Sequence, residues 1–137
     1  MIDAIQITRF DASRLGSMLD QAVRVGHITN AEAFKLRTEL ARAKIVDPRA
    51  IPAGVVTMNS IIELLDLETG EAETYTLVFP EQADAVEGKV SVLAPIGTAV
   101  LGYHVGDILN SAVPSGIRRL EIKNIVYQPE ASGDFHL

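Results

Sequence analysis

The sequence predicts an α+β protein, in which a short N-terminal antiparallel helical hairpin of the coiled-coil type precedes an antiparallel sheet wrapped on one short helix. Three observations support this prediction. Apolar residues recur at helical spacing on both sides of Gly26. From Val55 onward, short runs rich in β-branched residues alternate with turn residues. Between two of these runs lies one short apolar segment, residues 94–102, which is typical of a helix.

The chain is expected to form two domains. Residues 1–50 are predicted to be the hairpin with a leading strand, and residues 51–137 the sheet domain, with residues 47–54 as the linker because Pro48 and the IPAG run interrupt the helical pattern. Two antiparallel helices of about 15 residues each bury too little surface to be stable alone. Residues 4–10 are therefore predicted to be a strand that ties the hairpin to the sheet domain.

The first helix of the hairpin is predicted to begin after Asp11, a residue type that often caps helix N-termini. One face of this helix is apolar, and its spacing predicts burial of five residues: Leu15, Met18, Leu19, Ala22 and Val23. Gly26 is expected to end the helix, because glycine readily adopts the left-handed conformation found just past a helix C-terminus.

The second helix is predicted to begin at about Asn30 and to end by Pro48. Thr29 and Glu32 have the T-x-x-E spacing of a capping box, in which each side chain bonds a backbone N–H at the helix start. The buried face of this helix is expected to carry Ala33, Leu36, Leu40 and Ala43.

The sheet domain is predicted to contain five strands and one helix. The strands are expected at residues 60–67, 73–79, 89–93, 108–113 and 118–127. A turn with Gly70 joins the first two, and the Pro114-Ser115-Gly116 turn joins the last two. The helix within residues 94–102 has Pro95 in its first turn and Gly102 just past its end, which is the usual placement of both residue types.

Composition and charge exclude several classes of function. The chain of 137 residues contains no Cys, which excludes disulfides and thiol catalysis. No apolar run approaches the ~18 residues that a membrane span needs, and the N-terminus lacks the layout of a signal peptide, so we expect a cytoplasmic protein with no membrane partner. Residues 51–137 carry a net charge of −8, which disfavours any sequence-specific nucleic-acid partner.

Three stretches of the chain resemble the Gre-type family of transcription factors. They read TMNSIIELLDLETGEAETYTLVFP, GKVSVLAPIGTAVLGYHVGD and VPSGIRRLEIKNIVYQPEASGD, and they follow the short helical hairpin. With the hairpin, the resemblance spans essentially the whole chain. It implies an FKBP-like fold for the sheet domain, docking of that domain on the rim of the secondary channel of bacterial RNA polymerase, and a hairpin that points into the channel.

The hairpin tip is predicted to comprise His27, Ile28, Thr29, Asn30 and Glu32. In the cleavage factors that the chain resembles, two acidic side chains at this tip help hold a second Mg²⁺ in the polymerase active centre. Here Glu32 is the only acid close by, and the capping box occupies it. We therefore expect no catalytic residue, no metal and no cofactor, and a regulator that competes with Gre factors without cleaving the transcript.

A polymerase-docking loop is expected at Ala94, Pro95 and Ile96, from the position of these residues in the resemblance. Related factors carry polar or acidic residues just before this helix, whereas this chain is apolar there. A purely structural explanation is equally good, because proline commonly starts helices and Ile96 suits a core position. Both interpretations stay open at the level of the sequence.

Two alternative functions also stay open. An FKBP-like domain could be a peptidyl-prolyl isomerase, although that activity uses a concave pocket lined by aromatic residues, and the predicted central helix contains none. A branch of the Gre-type family is associated with control of nucleoside diphosphate kinase. The chain has no glycine-rich phosphate-binding loop, so any effect on that kinase is expected to act through protein contact or gene expression.

Overall fold

The computed structural model describes residues 5–113 and 116–137. Ala4 of the predicted leading strand and Pro114 and Ser115 of the predicted turn lie outside these ranges. The elements are, in chain order, β1 (Gln6–Thr8), α1 (Arg9–Arg24), α2 (Asn30–Arg42), β2 (Lys44–Val46), β3 (Ile61–Asp66), β4 (Ala72–Val78), β5 (Lys89–Ser91), α3 (Pro95–Val100), β6 (Ile108–Val113) and β7 (Gly116–Tyr127). No helix among the described residues is long and apolar enough to cross a bilayer.

The helical hairpin forms as the apolar spacing predicts. On α1, Leu15 and Leu19 are fully buried, and on α2 the facing residues Ala33 and Leu36 are buried as well. The two helices pack along this seam, and their outer faces are mostly polar apart from the exposed Phe10 of α1 and Phe34 of α2. The sequence therefore determines which face of each helix turns inward.

The start of α1 differs from the prediction, because Thr8 rather than Asp11 is the N-cap. Thr8 has extended backbone angles, φ −68° and ψ 151°, and its hydroxyl accepts a hydrogen bond from the Asp11 backbone N–H at 3.0 Å. The helix thus takes in Arg9 and Phe10, and β1 is shorter than the predicted strand over residues 4–10. Asp11 moves into the first helical turn, where its carboxylate is free to bond another element.

The end of α2 also differs, because the helix stops at Arg42 and residues Lys44–Val46 form a strand that the sequence analysis missed. This strand, β2, pairs in parallel with β1, and the Lys44 N–H donates to the Ile5 carbonyl at 2.8 Å. The predicted tie between the leading strand and the rest of the chain is confirmed by a bond from the Gln6 N–H to the Gly102 carbonyl at 3.2 Å. A two-stranded sheet therefore closes the base of the hairpin.

The larger sheet has five strands in the order β5-β4-β3-β7-β6. Its neighbours are antiparallel except for β4 and β5, which pair in parallel, so the sheet is mixed and not antiparallel throughout. The chain between these two strands runs through a 3₁₀ turn at Pro80–Gln82 and a further loop, which returns β5 in the direction of β4. The five predicted strands are all present, and their ends differ from the prediction by at most two residues.

One hydrophobic cluster runs through both parts of the molecule. It joins Leu15 and Leu36 of the hairpin to Ile62 and Ile122 of the sheet, and α3 packs on the same side. Gly97 of α3 is required by this packing, because a Cβ there would lie 2.1 Å from the Ser91 carbonyl oxygen. The base of the hairpin is thus seated in the core that also supports the sheet.

Candidate functional site

The hairpin tip is a compact turn closed by backbone hydrogen bonds. The N–H groups of His27 and Ile28 both donate to the Ala22 carbonyl, at 2.9 and 3.3 Å, and Gly26 adopts φ +79°. His27 is exposed, whereas Ile28 is half-buried and packs against the core cluster. The turn therefore brings the predicted tip residues together at the distal end of the hairpin.

The capping box at the start of α2 is confirmed. The Thr29 hydroxyl accepts from the Glu32 N–H at 3.1 Å, and the Glu32 carboxylate accepts from the Thr29 N–H at 3.1 Å. Since one carboxylate oxygen bonds a backbone donor that the helix leaves unpaired, the side chain is held back against its own helix. Glu32 thus has a structural task at the tip.

The nearest other acids on the hairpin are engaged in ion pairs. Asp20 bonds Arg37 across the two helices at 2.9 Å, and Glu39 bonds Arg42 within α2 at 2.9 Å. In residues 5–113 and 116–137, no group of three or more His, Cys, Asp or Glu side chains is placed to hold a metal ion. The acids of the hairpin therefore do not converge on the tip.

Apolar and basic side chains cover the outer surface near the tip. Val25 and Phe34 are 49% and 68% exposed, and Arg24 and Lys35 are exposed beside them in the sequence. Sequence reasoning missed Phe34, although its position one residue after Ala33 already places it off the buried face of α2. This end of the hairpin offers a partner an apolar surface with positive charge nearby.

The expected docking loop lies between β5 and α3. Ala94 is the N-cap without a side-chain bond, Pro95 occupies the first helical position and is exposed, and Ile96 is half-buried against the core cluster. Internal hydrogen bonds fix the loop, since the Thr98 hydroxyl donates to the Val92 carbonyl at 2.6 Å and the Ala94 N–H donates to the Ser91 carbonyl at 3.0 Å. Ile96 thus packs against the hydrophobic core, whereas Pro95 is exposed at the surface, where a partner can contact it.

The loop and the tip lie in different parts of the molecule. The loop begins α3, whose six residues span about 9 Å. Gly102, just past the far end of α3, accepts the bond from β1 at the base of the hairpin. The structure therefore places the loop one short helix away from the hairpin base and leaves the tip at the opposite end of α1 and α2.

A buried polar cluster at the hairpin base was not found from the sequence. Asp11, which is 1% exposed, accepts from the Met58 N–H at 3.0 Å and from the Arg14 guanidinium at 2.6 Å. Burial raises the pKa of Asp11, and the bonds from Met58 and Arg14 oppose that shift. The guanidinium of Arg14 also stacks over the rings of Phe10 and Phe79, at 3.9 and 4.9 Å.

A cleft of about 500 Å³ opens beside this cluster. It lies between α1, the 3₁₀ turn after β4 and the end of the chain, and its lining includes Ser13, Ser17, Met18, Phe79, Glu81 and His136. Arg14 forms part of the wall, but its charge already faces Asp11. His136 and Leu137 line the cleft together with residues of α1, so the last residues of the chain lie close to the first helix.

Comparison with known proteins gives two family matches that together cover most of the chain. Residues 51–127 match the family described as "Transcription elongation factor, GreA/GreB, C-term". Residues 3–46 match the family described as "Rnk N-terminus". The first match contains the expected docking loop, and the second contains the hairpin tip.

Individual proteins agree with these matches. The chain is 40% identical over 134 residues to "Regulator of nucleoside diphosphate kinase" of Escherichia coli (strain K12), which covers 97% of this chain and 96% of that protein. It is 40% identical over 91 residues to "Transcription elongation factor GreA" of Alkaliphilus oremlandii, which covers 66% of this chain and 57% of that protein. A solved structure, "Prokaryotic transcription elongation factor GreA/GreB from Nitrosomonas europaea", is similar with a TM-score of 0.75 at 38% identity, over 90% of this chain and 99% of that chain.

Proposed function

The chain belongs to the GreA/GreB family of transcription elongation factors, and from this premise we propose that it is a regulator that binds bacterial RNA polymerase without cleaving the transcript. In this proposal the sheet domain, residues 51–137, docks at the rim of the secondary channel. The hairpin domain, residues 1–50, enters the channel and competes with other Gre factors for it. The relatives are regulators or transcription factors, which supports a role outside catalysis.

The capping box is the observation that carries the proposal. Cleavage in this family requires two tip carboxylates that help hold a Mg²⁺ ion, and such an ion takes oxygen ligands in a near-octahedral arrangement. Glu32 is the acid closest to the tip in the chain, and its side chain bonds the Thr29 N–H. Asp20 and Glu39 lie further along the helices and pair with arginines. The tip can therefore fill space in the channel but lacks the ligands for cleavage.

The docking loop supports an apolar mode of contact with the polymerase. Pro95 is exposed at the start of α3, and the backbone beside it is held by bonds from within the domain. A rigid apolar loop loses little conformational freedom on binding, which favours association. Pro95 and Ala94 are the contacts that we propose, while Ile96 positions them from the core.

A transcription assay tests both halves of the proposal. A stalled elongation complex carrying labelled RNA is incubated with this protein, with GreA, or with GreA and increasing amounts of this protein. We expect no shortening of the RNA with this protein alone, and a progressive loss of GreA-dependent shortening in the mixture. Shortening of the RNA by this protein alone would contradict the absence of cleavage, and unchanged GreA activity would contradict competition.

A pair of variants locates the docking surface in the same assay. Pro95→Asp places a charge on the proposed contact, and we expect it to weaken competition by about tenfold or more, in line with the cost of burying an unpaired charge. Val86→Asp is the matched control, since Val86 is 96% exposed on a different loop of the sheet domain. Equal competition by the two variants would remove the loop from the proposed interface.

A direct effect on nucleoside diphosphate kinase is a second candidate function. It is favoured by one observation, the 40% identity over 134 residues to a protein named for regulation of that kinase. The test is isothermal titration of purified kinase with this protein, together with the kinase rate at saturation. Heat of binding with a change in rate supports direct contact, and the absence of both leaves control through transcription as the explanation.

A further inference from the structure

The last ten residues fold back onto the molecule and link its two parts. We refer to residues 128–137 as the C-terminal segment. Gln128 is buried, and its side-chain amide donates to the carbonyls of Pro52 and Val55 at 2.8 and 2.7 Å. The Thr57 hydroxyl donates to the Glu130 carboxylate at 2.7 Å. These bonds fasten the start of the segment to the chain that leads into β3.

The end of the segment reaches the first helix of the hairpin. The main-chain oxygen of Leu137 accepts from the Arg14 guanidinium at 2.8 Å and from the Asn59 side-chain amide at 3.0 Å. Arg14 also holds Asp11, whose second carboxylate oxygen bonds the Met58 N–H. Arg14 therefore joins α1 to the C-terminal segment, and the loop before β3 bonds both of its partners, Asp11 and the Leu137 oxygen.

Further contacts, within the segment and with its neighbours, keep the segment in shape. Tyr127, the last residue of β7, donates its hydroxyl to the Asp134 carboxylate, and this bond raises the pKa of Tyr127 to about 12. The Asp134 N–H donates to the Pro129 carbonyl at 2.8 Å. The guanidinium of Arg49 lies over the ring of Phe135 at 5.4 Å. A segment held in this way keeps the Leu137 main-chain oxygen, which bonds Arg14, at a fixed position relative to the sheet.

We infer that the C-terminal segment, which Thr57 and Asn59 fasten to the sheet domain and Arg14 joins to the hairpin, sets the direction of the hairpin relative to the sheet domain. The apolar core beneath the hairpin supplies most of the contact area, but apolar packing is not directional. Hydrogen bonds have preferred distances and angles, and those to charged groups are the strongest. The polar cluster at the base is therefore the part of the junction that selects one angle.

The direction of the hairpin matters because any rotation at its base displaces the distant tip. The 16 residues of α1 span about 24 Å, so a rotation of 10° at the base moves the tip by about 4 Å. A shift of that size is enough to misplace a tip that must enter a channel. This functional consequence rests on the proposed function, whereas the inference about direction concerns the protein alone.

A spin-label distance measurement tests the inference on the full chain. The chain has no cysteine, so Lys35→Cys on the hairpin and Val86→Cys on the sheet domain provide two unique exposed attachment sites. We expect one narrow distance distribution in the otherwise unchanged protein. In the double variant Asn59→Gly with Glu130→Ala, which removes two anchors without stranding a buried charge, we expect the distribution to broaden or to shift by several ångströms.

Two controls separate positioning from general damage. Glu130→Gln keeps an oxygen that can accept from Thr57, and Arg37→Met breaks an ion pair within the hairpin that does not touch the segment. Both are expected to keep the narrow distribution. Glycine is chosen at position 59 because Asn59 has φ +66°, which glycine adopts without strain. A cooperative thermal transition that lies well above the temperature of the distance measurement confirms that each variant is folded.

The outcomes distinguish this inference from the proposed function. A double variant that is folded and gives the same narrow distribution as the parent overturns the inference. A broadened distribution supports it, whatever the polymerase result. If the parent then fails to compete with GreA, the proposed function is wrong while the role of the segment stands. If the parent competes and the double variant competes several-fold less well, the direction of the hairpin matters for competition.

Discussion

The polar side chains at the tip of the hairpin bond near neighbours in the sequence, whereas those at its base bond residues that are distant in the sequence. At the tip, Thr29 and Glu32 bond each other across three residues, and both side chains are exposed. At the base, Arg14 bonds Leu137, which is 123 residues away, and Asp11 bonds Met58 over 47 residues. A tip built from local bonds forms with its own helix, whereas the base exists only when the whole chain has folded. Stability should therefore depend on the base, and the tip surface should tolerate change.

The largest difference is expected between an acid buried at the base and an acid on the exposed surface of the hairpin. Asp11→Ala leaves the buried Met58 N–H unpaired and Arg14 without its carboxylate partner, so we expect a loss of about 3–5 kcal/mol in the free energy of unfolding. Asp20→Ala removes the partner of Arg37 on the exposed surface, where an ion pair contributes about 1 kcal/mol or less. Urea unfolding of both variants gives the two values.

Similar losses of stability in these two variants would contradict the conclusion that stability depends mainly on the base of the hairpin. In that case the buried cluster would contribute no more than an exposed ion pair, and the apolar core alone would hold the junction. The slope of the unfolding free energy against urea should be unchanged in both variants, which shows that the same surface is exposed on unfolding.

A smaller effect is expected at the tip itself. Thr29→Ala removes the hydroxyl that accepts from the Glu32 N–H, which costs about 1 kcal/mol for a helix N-cap. Thr29→Ser keeps that hydroxyl and is the control, with a loss near zero. Amide hydrogen exchange should show that the loss in Thr29→Ala is confined to the first turn of α2. Faster exchange at the base of the hairpin would mean that the two ends are coupled.

The smallest expected effect is a dependence on pH at the base. Burial raises the pKa of Glu130 above its ordinary value, and the bond from Thr57 opposes that shift. Because the folded protein then holds this proton to higher pH than the unfolded chain, the stability contributed by Glu130 is complete below pH 4.5 and is lost as the pH rises through the raised pKa. The thermal midpoint of the parent, relative to that of Glu130→Gln, should therefore fall as the pH rises from 4.5 toward neutrality.

The effect of pH has its own control away from the base. Val86→Ala changes an exposed side chain that does not titrate, so the difference between its thermal midpoint and that of the parent is expected to stay constant over the same range. A parent that gains stability over Glu130→Gln as the pH rises would show that hydrogen bonding outweighs burial at Glu130.

Local patterns in the sequence predicted the parts of the fold that depend on near neighbours. The capping box needs only the T-x-x-E spacing, and the apolar stripe of α1 needs only residues three and four apart. The structure confirms the capping box and the burial of Leu15 and Leu19, while the other three residues of the predicted stripe are half-buried. The short helix α3 was predicted from Pro95 and Gly102 for the same reason. In each case the physical cause lies within one or two turns of chain.

The errors have one cause, which is competition between a local signal and a distant partner. Asp11 has the chemistry of an N-cap, but Thr8 precedes it and takes that position, while the Asp11 carboxylate bonds Met58. The strand β2 has only three residues and no alternation of buried and exposed side chains, so only its pairing with β1 identifies it. The parallel direction of β5 likewise depends on a connection whose path the sequence does not reveal.

The candidate site was also predicted only in part from the sequence. The tip residues and the loop at Ala94 could be located along the chain, from a motif and from a resemblance. The exposure of Pro95 and the burial of Ile96 required the structure, because they depend on where the core lies. The contacts of the C-terminal segment could not be predicted from the sequence, because the residues after Tyr127 are mostly polar, which is typical of an unstructured terminus.

The capping box has a consequence for how this tip could acquire cleavage. Adding a single acid beside Glu32 would not create a metal-binding pair, because Glu32 would first have to release the Thr29 N–H and loosen the helix start. Two new carboxylates, both independent of the cap, would be needed at once. Under the proposed function, acquiring cleavage would therefore take at least two substitutions at the tip.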